Sequence, residues 1–438
     1  MPMFPNGSNG KTVGGRSPRS PAVSVGIALT LIIGFAVPSA AHLNVGPAMP
    51  IWEDDNLNYG VEVVFNPLHD EFLVLWSTEQ GTFTTDINAQ RIATDGTLLS
   101  AFSVHSEAGV WLLEPSAAFS PIHDEYLVTW LRYGADMDIA GRRISSNGSV
   151  MHPVFTIAGG AGFQTEPHAS YASSVDEYLV VYQNLWLSGI SDVDAQRIQA
   201  SDNTLLSWAN IATGSESRYG PTVAYHEGSD RYLVAYLREP AAGADDDIVG
   251  KIAVTNLDGV SVAAEQIYVP ASGSTQTVAA AAGADGYALL FSRDFSVRAQ
   301  TLSADGTPTG PTHGHQISVQ TISTDPNFLA LAPLWANEYV AAWDTAPTST
   351  SSNIMAARIF DEPGGPYSLE VTVEDRAFEQ YWPALACAPS GRCLVVYSDP
   401  WNAGADLDTD IWGRFVDVPF FADGFEDGDT IAWSSTVP

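Results

Sequence analysis

The chain has 438 residues, 51 of them acidic and 18 basic, which gives a formal charge of −33 at pH 7. Hydrophobic residues make up 45% and aromatics 11%, which excludes a disordered chain. A surface this acidic repels phosphate backbones and anionic lipid and attracts cations, so nucleic-acid binding and peripheral membrane docking are not expected.

Residues 1–41 contain Lys11, Arg16 and Arg19 and no acidic residue. An apolar run from Ala22 to Val37 follows, and then the small residues Ser39-Ala40-Ala41. This order of basic, apolar and small-residue blocks predicts a secretory signal cleaved after Ala41, with an uncleaved anchor as the alternative. The mature chain is therefore expected to be secreted or displayed at the cell surface, with no transmembrane segment.

From there on, seven segments align: Asp70-Glu-Phe-Leu-Val-Leu-Trp76, Asp124-Glu-Tyr-Leu-Val-Thr-Trp130, Asp176-Glu-Tyr-Leu-Val-Val-Tyr182, Asp230-Arg-Tyr-Leu-Val-Ala-Tyr236, Asp285-Gly-Tyr-Ala-Leu-Leu-Phe291, Asn337-Glu-Tyr-Val-Ala-Ala-Trp343 and Gly391-Arg-Cys-Leu-Val-Val-Tyr397. Their ends fall 52 to 55 residues apart, an even period that marks a repeat architecture. Each unit reads as four strands. Strand A is short and small-sided and opens on proline in Pro115–Phe119, Pro221–Tyr225 and Pro383–Ala386, where a first-position proline costs no ladder bond. Strand B is the aligned segment. Strand C follows, as in Asp86–Ile92 and Asp138–Ile144. Two-residue hairpin signals such as Asp95-Gly96, Asn147-Gly148 and Asp305-Gly306 then lead to strand D.

Seven such units predict an all-β, seven-bladed β-propeller with four antiparallel strands per blade, spanning residues 42–417, with a C-terminal tail at 418–438. The last unit lacks a convincing strand D, and the mature N-terminal segment Leu43–Trp52 is expected to supply it, closing the ring. The units resemble those of secreted bacterial β-propeller repeat proteins, whose blades read D-E-Y-L-V-V-W, then D-I-x-G-Q-R-I, then D-G. The tail Phe421–Trp433 resembles a terminal sequence found on secreted bacterial proteins. These likenesses imply a fold and no particular activity.

The meander places the B–C and inter-blade loops on one face, where loop length and content vary. Trp111, Trp186, Tyr219, Trp382 and Trp401 fall there and are candidates for stacking on a carbohydrate or a protein ligand, with packing between blades as the alternative. Asp406, Asp408 and Asp410 have the alternating spacing of a calcium loop without its Gly-then-Glu continuation, so calcium is a possible cofactor and turn capping the alternative. Strand-C arginines Arg91, Arg143, Arg197 and Arg358 are expected to pair with a neighbouring blade's carboxylate. Cys387 and Cys393 are expected to form a disulfide across the last A–B hairpin.

The sequence thus points to a monomeric, non-catalytic binding or scaffold propeller acting on extracellular carbohydrate or protein. Two alternatives remain: a secreted glycoside hydrolase or lyase with carboxylates at the channel mouth, and a structural envelope protein.

Overall fold

In the computed structural model, the described residues are 43–418 except 82, 187, 242–244, 257–258, 271–276, 312, 319–327, 336, 349–350, 361–369, 377–379 and 401–407. The segment 1–41, Trp401, Asp406 and the tail beyond 418 therefore lie outside the described residues. Every element among the described residues is a strand, and no helix there is long and apolar enough to cross a membrane.

The chain opens with β1 (Asn44–Trp52). Blade 1 is β2 (Asn58–Asn66), β3 (Glu71–Glu79), β4 (Thr85–Ala93) and β5 (Leu98–Ser106). Blade 2 is β6 (Trp111–Ser120), β7 (Glu125–Tyr133), β8 (Met137–Ser145) and β9 (Phe155–Ala158). Blade 3 is β10 (Phe163–Ala172), β11 (Glu177–Leu185), β12 (Ser191–Gln199) and β13 (Leu205–Ala212). Blade 4 is β14 (Ser217–His226), β15 (Arg231–Glu239) and β16 (Asp247–Asn256), with its outer edge shared by β17 (Gly259–Val262) and β18 (Gln266–Val269). Among the described residues, that split makes it the one blade that departs from four strands. Blade 5 is β19 (Val278–Ala282), β20 (Gly286–Arg293), β21 (Ser296–Ser303) and β22 (His315–Gln316). Blade 6 is β23 (Leu329–Pro333), β24 (Glu338–Thr348), β25 (Ser351–Phe360) and β26 (Val371–Glu374). The last sheet, β27 (Tyr381–Cys387), β28 (Arg392–Asp399) and β29 (Asp410–Asp417), has β1 as its fourth strand, with Asn44 opposite Asp417.

The innermost strands β2, β6, β10, β14, β19, β23 and β27 each touch the next, and β27 touches β2, so the sheets form the ring of a seven-bladed β-propeller. The aligned strand-B segments explain the ring's stability. Their third residue, Phe72, Tyr126, Tyr178, Tyr232, Tyr287 or Tyr339, is almost fully buried between blades. Each such side chain contributes about 1.5–3 kcal/mol by leaving water. The hydroxyls also reach back: Tyr287 Oη donates to Arg231 O at 2.9 Å, and Tyr178 Oη to Glu125 Oε1 at 3.5 Å.

Three local readings of the sequence are corrected. First, proline does not open strand A. Strand β6 begins at Trp111, and a bulge interrupts its ladder between Leu113 and Ser116. The residue before the proline is in the left-handed region, with φ of 53° at Glu114. The same bulge recurs at Gly60, Glu166, Gly220 and Trp382, with φ of 63°, 53°, 60° and 51°. The extra residue at the bulge absorbs the proline, which has no N–H to pair.

Second, the C–D hairpins of blades 1, 2 and 5 carry three loop residues, not two, and that of blade 3 carries four, while Asn256 and Gly259 of blade 4 pair across two. Ala93 N–H bonds Thr97 O and Gly96 N–H bonds Ala93 O, so only the glycine needs positive φ (91°) and Asp95 accepts from Thr97 N–H instead. Third, the strand-C arginines pair within their own blade. Arg91, Arg143 and Arg197 bond Glu71, Glu125 and Glu177 of the adjacent strand B at 2.7, 2.6 and 2.7 Å, and Arg358 bonds Glu338 at 2.5 Å. The two groups are diagonal neighbours on adjacent strands, two residues off direct register, within reach of long side chains.

The disulfide is present. Cys387 and Cys393 are register partners across the β27–β28 hairpin and form an S–S bond of 2.02 Å. Cys393 occupies the position held by tyrosine or phenylalanine in the other blades. Blade 7 also replaces the Glu–Arg pair by Arg392 stacked 4.2 Å over the Phe415 ring.

Candidate functional site

The sequence-derived site residues do not share one patch. Trp111 stands at the start of β6, stacked on Phe83 at 5.6 Å and edge-on to Tyr133 at 5.5 Å. These three rings, with Gly109 and Gly134, form an open aromatic cradle on the loop face. Phe83 is 62% exposed and adopts φ of 62°, an unusual conformation for a bulky residue.

Trp186 lies in the B–C loop of blade 3, on a groove of about 390 Å³ between blades 2 and 3. Its wall combines Trp186, half-exposed Trp208 and Tyr182 with the buried amides Gln164, Asn184 and Gln196. The amides are held rigidly. Gln164 Nε2 donates to Asn184 Oδ1 at 3.1 Å, and Asn184 Nδ2 to Asp194 Oδ2 at 2.9 Å. Trp186 Nε1 donates to Asp192 at 2.6 Å and Trp208 Nε1 to Tyr182 Oη at 2.8 Å, which fixes both ring planes. Gln164 Oε1 has no hydrogen-bond partner.

Tyr219 is a packing residue: it lies against the blade 4–5 core and its hydroxyl bonds Asp246. Trp382 sits at the bulge of β27 and lines the axial channel, between Tyr59 at 5.8 Å and Phe328 at 5.4 Å. Of the calcium candidates, Asp410 is buried and accepts from Asp54 N–H at 3.3 Å. Among the described residues no group of three or more His, Cys, Asp or Glu side chains is placed to hold a metal.

The sequence reading missed the channel carboxylates. Glu62 and His168, each two residues past the bulge of its strand, line the channel cavity, while Glu114 and Glu166 stand at the bulges themselves and are exposed. Glu114 accepts from Glu166 N–H and Glu166 from Gly220 N–H, both at 2.8 Å. Glu62 accepts N–H bonds from Ala117 and Val63. The lumen is ringed by protein, and desolvation dominates. It pushes Glu62 up to about 8 and Glu166 up to about 7, the latter also raised by Glu114, and it raises Glu114. Desolvation lowers His168 to about 4, so its ring is neutral at pH 7. The signal was visible as the dipeptides Glu114-Pro115 and Glu166-Pro167, which recur at blade spacing where other units have Gly220-Pro221 and Trp382-Pro383.

No family profile and no curated protein matches the chain. Among solved structures it is similar to a protein of unknown function from Dyadobacter fermentans, at 10% identity and a TM-score of 0.56, covering 86% of this chain and 99% of that one. This likeness bears on the fold alone. More distant are the catalytic domain of a Coprinopsis cinerea GH62 α-L-arabinofuranosidase (11% identity, TM-score 0.38, 59% of this chain and 92% of that one) and the β-propeller domain of the Pyrococcus furiosus Trilobed protease (8%, 0.44, 79% and 91%). Neither bears on what this chain does.

Proposed function

We propose that this is a secreted or surface-displayed propeller that binds carbohydrate through its variable-loop face without transforming it. The observation that carries this reading is the blade 2–3 groove. Two tryptophans with fixed ring planes and three ordered amides suit a sugar, whose ring faces are apolar and whose rim carries hydroxyls that both donate and accept. The Phe83–Trp111–Tyr133 cradle on the same face offers a second stacking surface.

The hydrolase alternative fits less well. Glycoside hydrolysis needs two carboxyl groups whose pKa values are pushed apart, one protonated and one ionised. Here Glu62, Glu114 and Glu166 are all shifted in the same direction. The test is titration of a panel of soluble oligosaccharides, followed by tryptophan fluorescence and by product analysis. Binding without turnover, weakened at least 10-fold by Trp208→Ala, is expected. No binding across the panel, unchanged affinity in Trp208→Ala, or release of shorter products would each overturn the reading.

A further inference from the structure

Elsewhere in the molecule, enclosed glutamates have cationic partners. Glu71, Glu125, Glu177 and Glu338 pair with strand-C arginines, Glu265 with Arg218 and Arg238, and Glu374 with Arg376 and Arg414. Glu62, half-buried in the channel, breaks this rule, and Glu114 and Glu166 at the bulges are exposed. Among the described residues, no Lys or Arg lies within ion-pair distance of Glu62, Glu114 or Glu166. Their hydrogen bonds come from backbone N–H groups instead.

The channel around them is two-sided. Beside Glu62 and His168 it holds a cavity of about 250 Å³, with Thr222 on the same side. The opposite wall, from blades 5 to 7, is Ala279, Ala330, Leu329, Leu331, Phe328 and Trp382. His168 Nδ1, on the polar side, is shielded from solvent and has no partner. A cavity with a carboxyl group and an imidazole on one flank and an aromatic, aliphatic wall on the other matches a cation that carries its own apolar surface.

We infer that the axial channel is a binding site for an organic ammonium ion, which supplies the counter-charge that Glu62 lacks and lays its apolar part against Trp382 and Phe328. Trp382 is flanked by three further rings and gives a cation–π face. A bare divalent ion is disfavoured, because the acidic groups are not gathered at metal-ligand spacing. The chain's charge of −33 draws cations toward the mouth. Burial pushes Glu62 up to about 8, so at pH 7 the ligand displaces a proton from it. The titratable groups facing it are Glu62, Glu114, Glu166 and His168. Histidine is already neutral in this range, so the carboxyls set the pH dependence.

The probe is benzyltrimethylammonium, whose charge does not vary with pH, with benzyl alcohol as the neutral control and calcium chloride as the metal control. Calorimetry in two buffers of different ionisation enthalpy counts released protons on the unmodified chain. Expected are saturable binding of the ammonium, proton release at pH 6.5, and affinity at least 10-fold higher at pH 8.5. Glu62→Gln and Trp382→Phe should each weaken binding by 5-fold or more, while Trp208→Ala leaves it unchanged. Equal binding of benzyl alcohol, absence of proton release, binding of calcium in place of the ammonium, or no binding at millimolar probe would overturn the inference. Because the groove is assayed through Trp208, the two sites succeed or fail independently.

Discussion

The pair Arg143–Glu125 lends itself to a quantitative test. Its side chains are 3% and 0% exposed, and both guanidinium contacts to the carboxylate are 2.6 Å. Arg143 also reaches Asn203 Oδ1 of the next blade at 3.3 Å. Glu125→Gln removes the charge and leaves a buried cation uncompensated, which costs about 3–5 kcal/mol. An unfolding entropy near 2.1 cal/mol/K per residue, over roughly 375 residues, gives about 0.8 kcal/mol/K, so the melting temperature should fall by about 5 °C. The equivalent Glu338→Gln acts on a pair with 13% and 22% exposure and should cost about 1 kcal/mol, or about 1 °C. The double variant Glu125→Leu/Arg143→Met removes both charges and should recover most of the loss. Differential scanning calorimetry of the four proteins decides. Equal shifts for Glu125→Gln and Glu338→Gln, or a double variant no more stable than the single, would refute the argument that burial sets the cost.

Other outcomes follow from the channel and the last blade. Glu62 and Glu166 have folded-state pKa values raised above their unfolded value, so folding takes up protons and stability falls as pH rises from about 6.5 to 8. His168, lowered to about 4, acts in the opposite sense, but only below about 6.5. Urea melts at pH 6.5 and 8 should therefore show the fall in the unmodified chain and a flatter profile in Glu62→Gln/Glu166→Gln; identical profiles would contradict the assignment. Cys387→Ser/Cys393→Ser opens a covalent loop with sequence separation 6 and should cost about 2 kcal/mol, read as a lower urea midpoint that reducing agent no longer changes.

The fold was legible because its repeat is written in large side chains: the Asp-Glu-Tyr-Leu-Val-Val-Trp pattern places a bulky residue between blades in every unit. The strand-C arginines were legible as a set and misassigned as to partner. Yet the sequence held the answer, since units lacking the glutamate (Arg231, Gly286, Arg392) also lack the arginine (Ile252, Thr301, Phe415). The site was legible only in fragments. Trp186 was visible, while Trp208 and the three amides that complete its groove come from strands whose pattern reads as framework. Glu62, Glu114 and Glu166 were hidden because they come from three blades, whose inner strands share one channel only once the ring is closed.

The pairing of β1 with β29 has a consequence for assembly. As the polypeptide is made, the Asn44–Trp52 segment must wait for almost all the remaining residues before its hydrogen-bonding edge is covered. Six sheets can zip up locally in the meantime, while this one stays open to wrong partners. The entropic penalty for joining such remote stretches grows only logarithmically with their separation, so the delay is a kinetic hazard far more than a thermodynamic one. Docking of that one strand is the step at which a nearly complete molecule either locks or is lost to self-association.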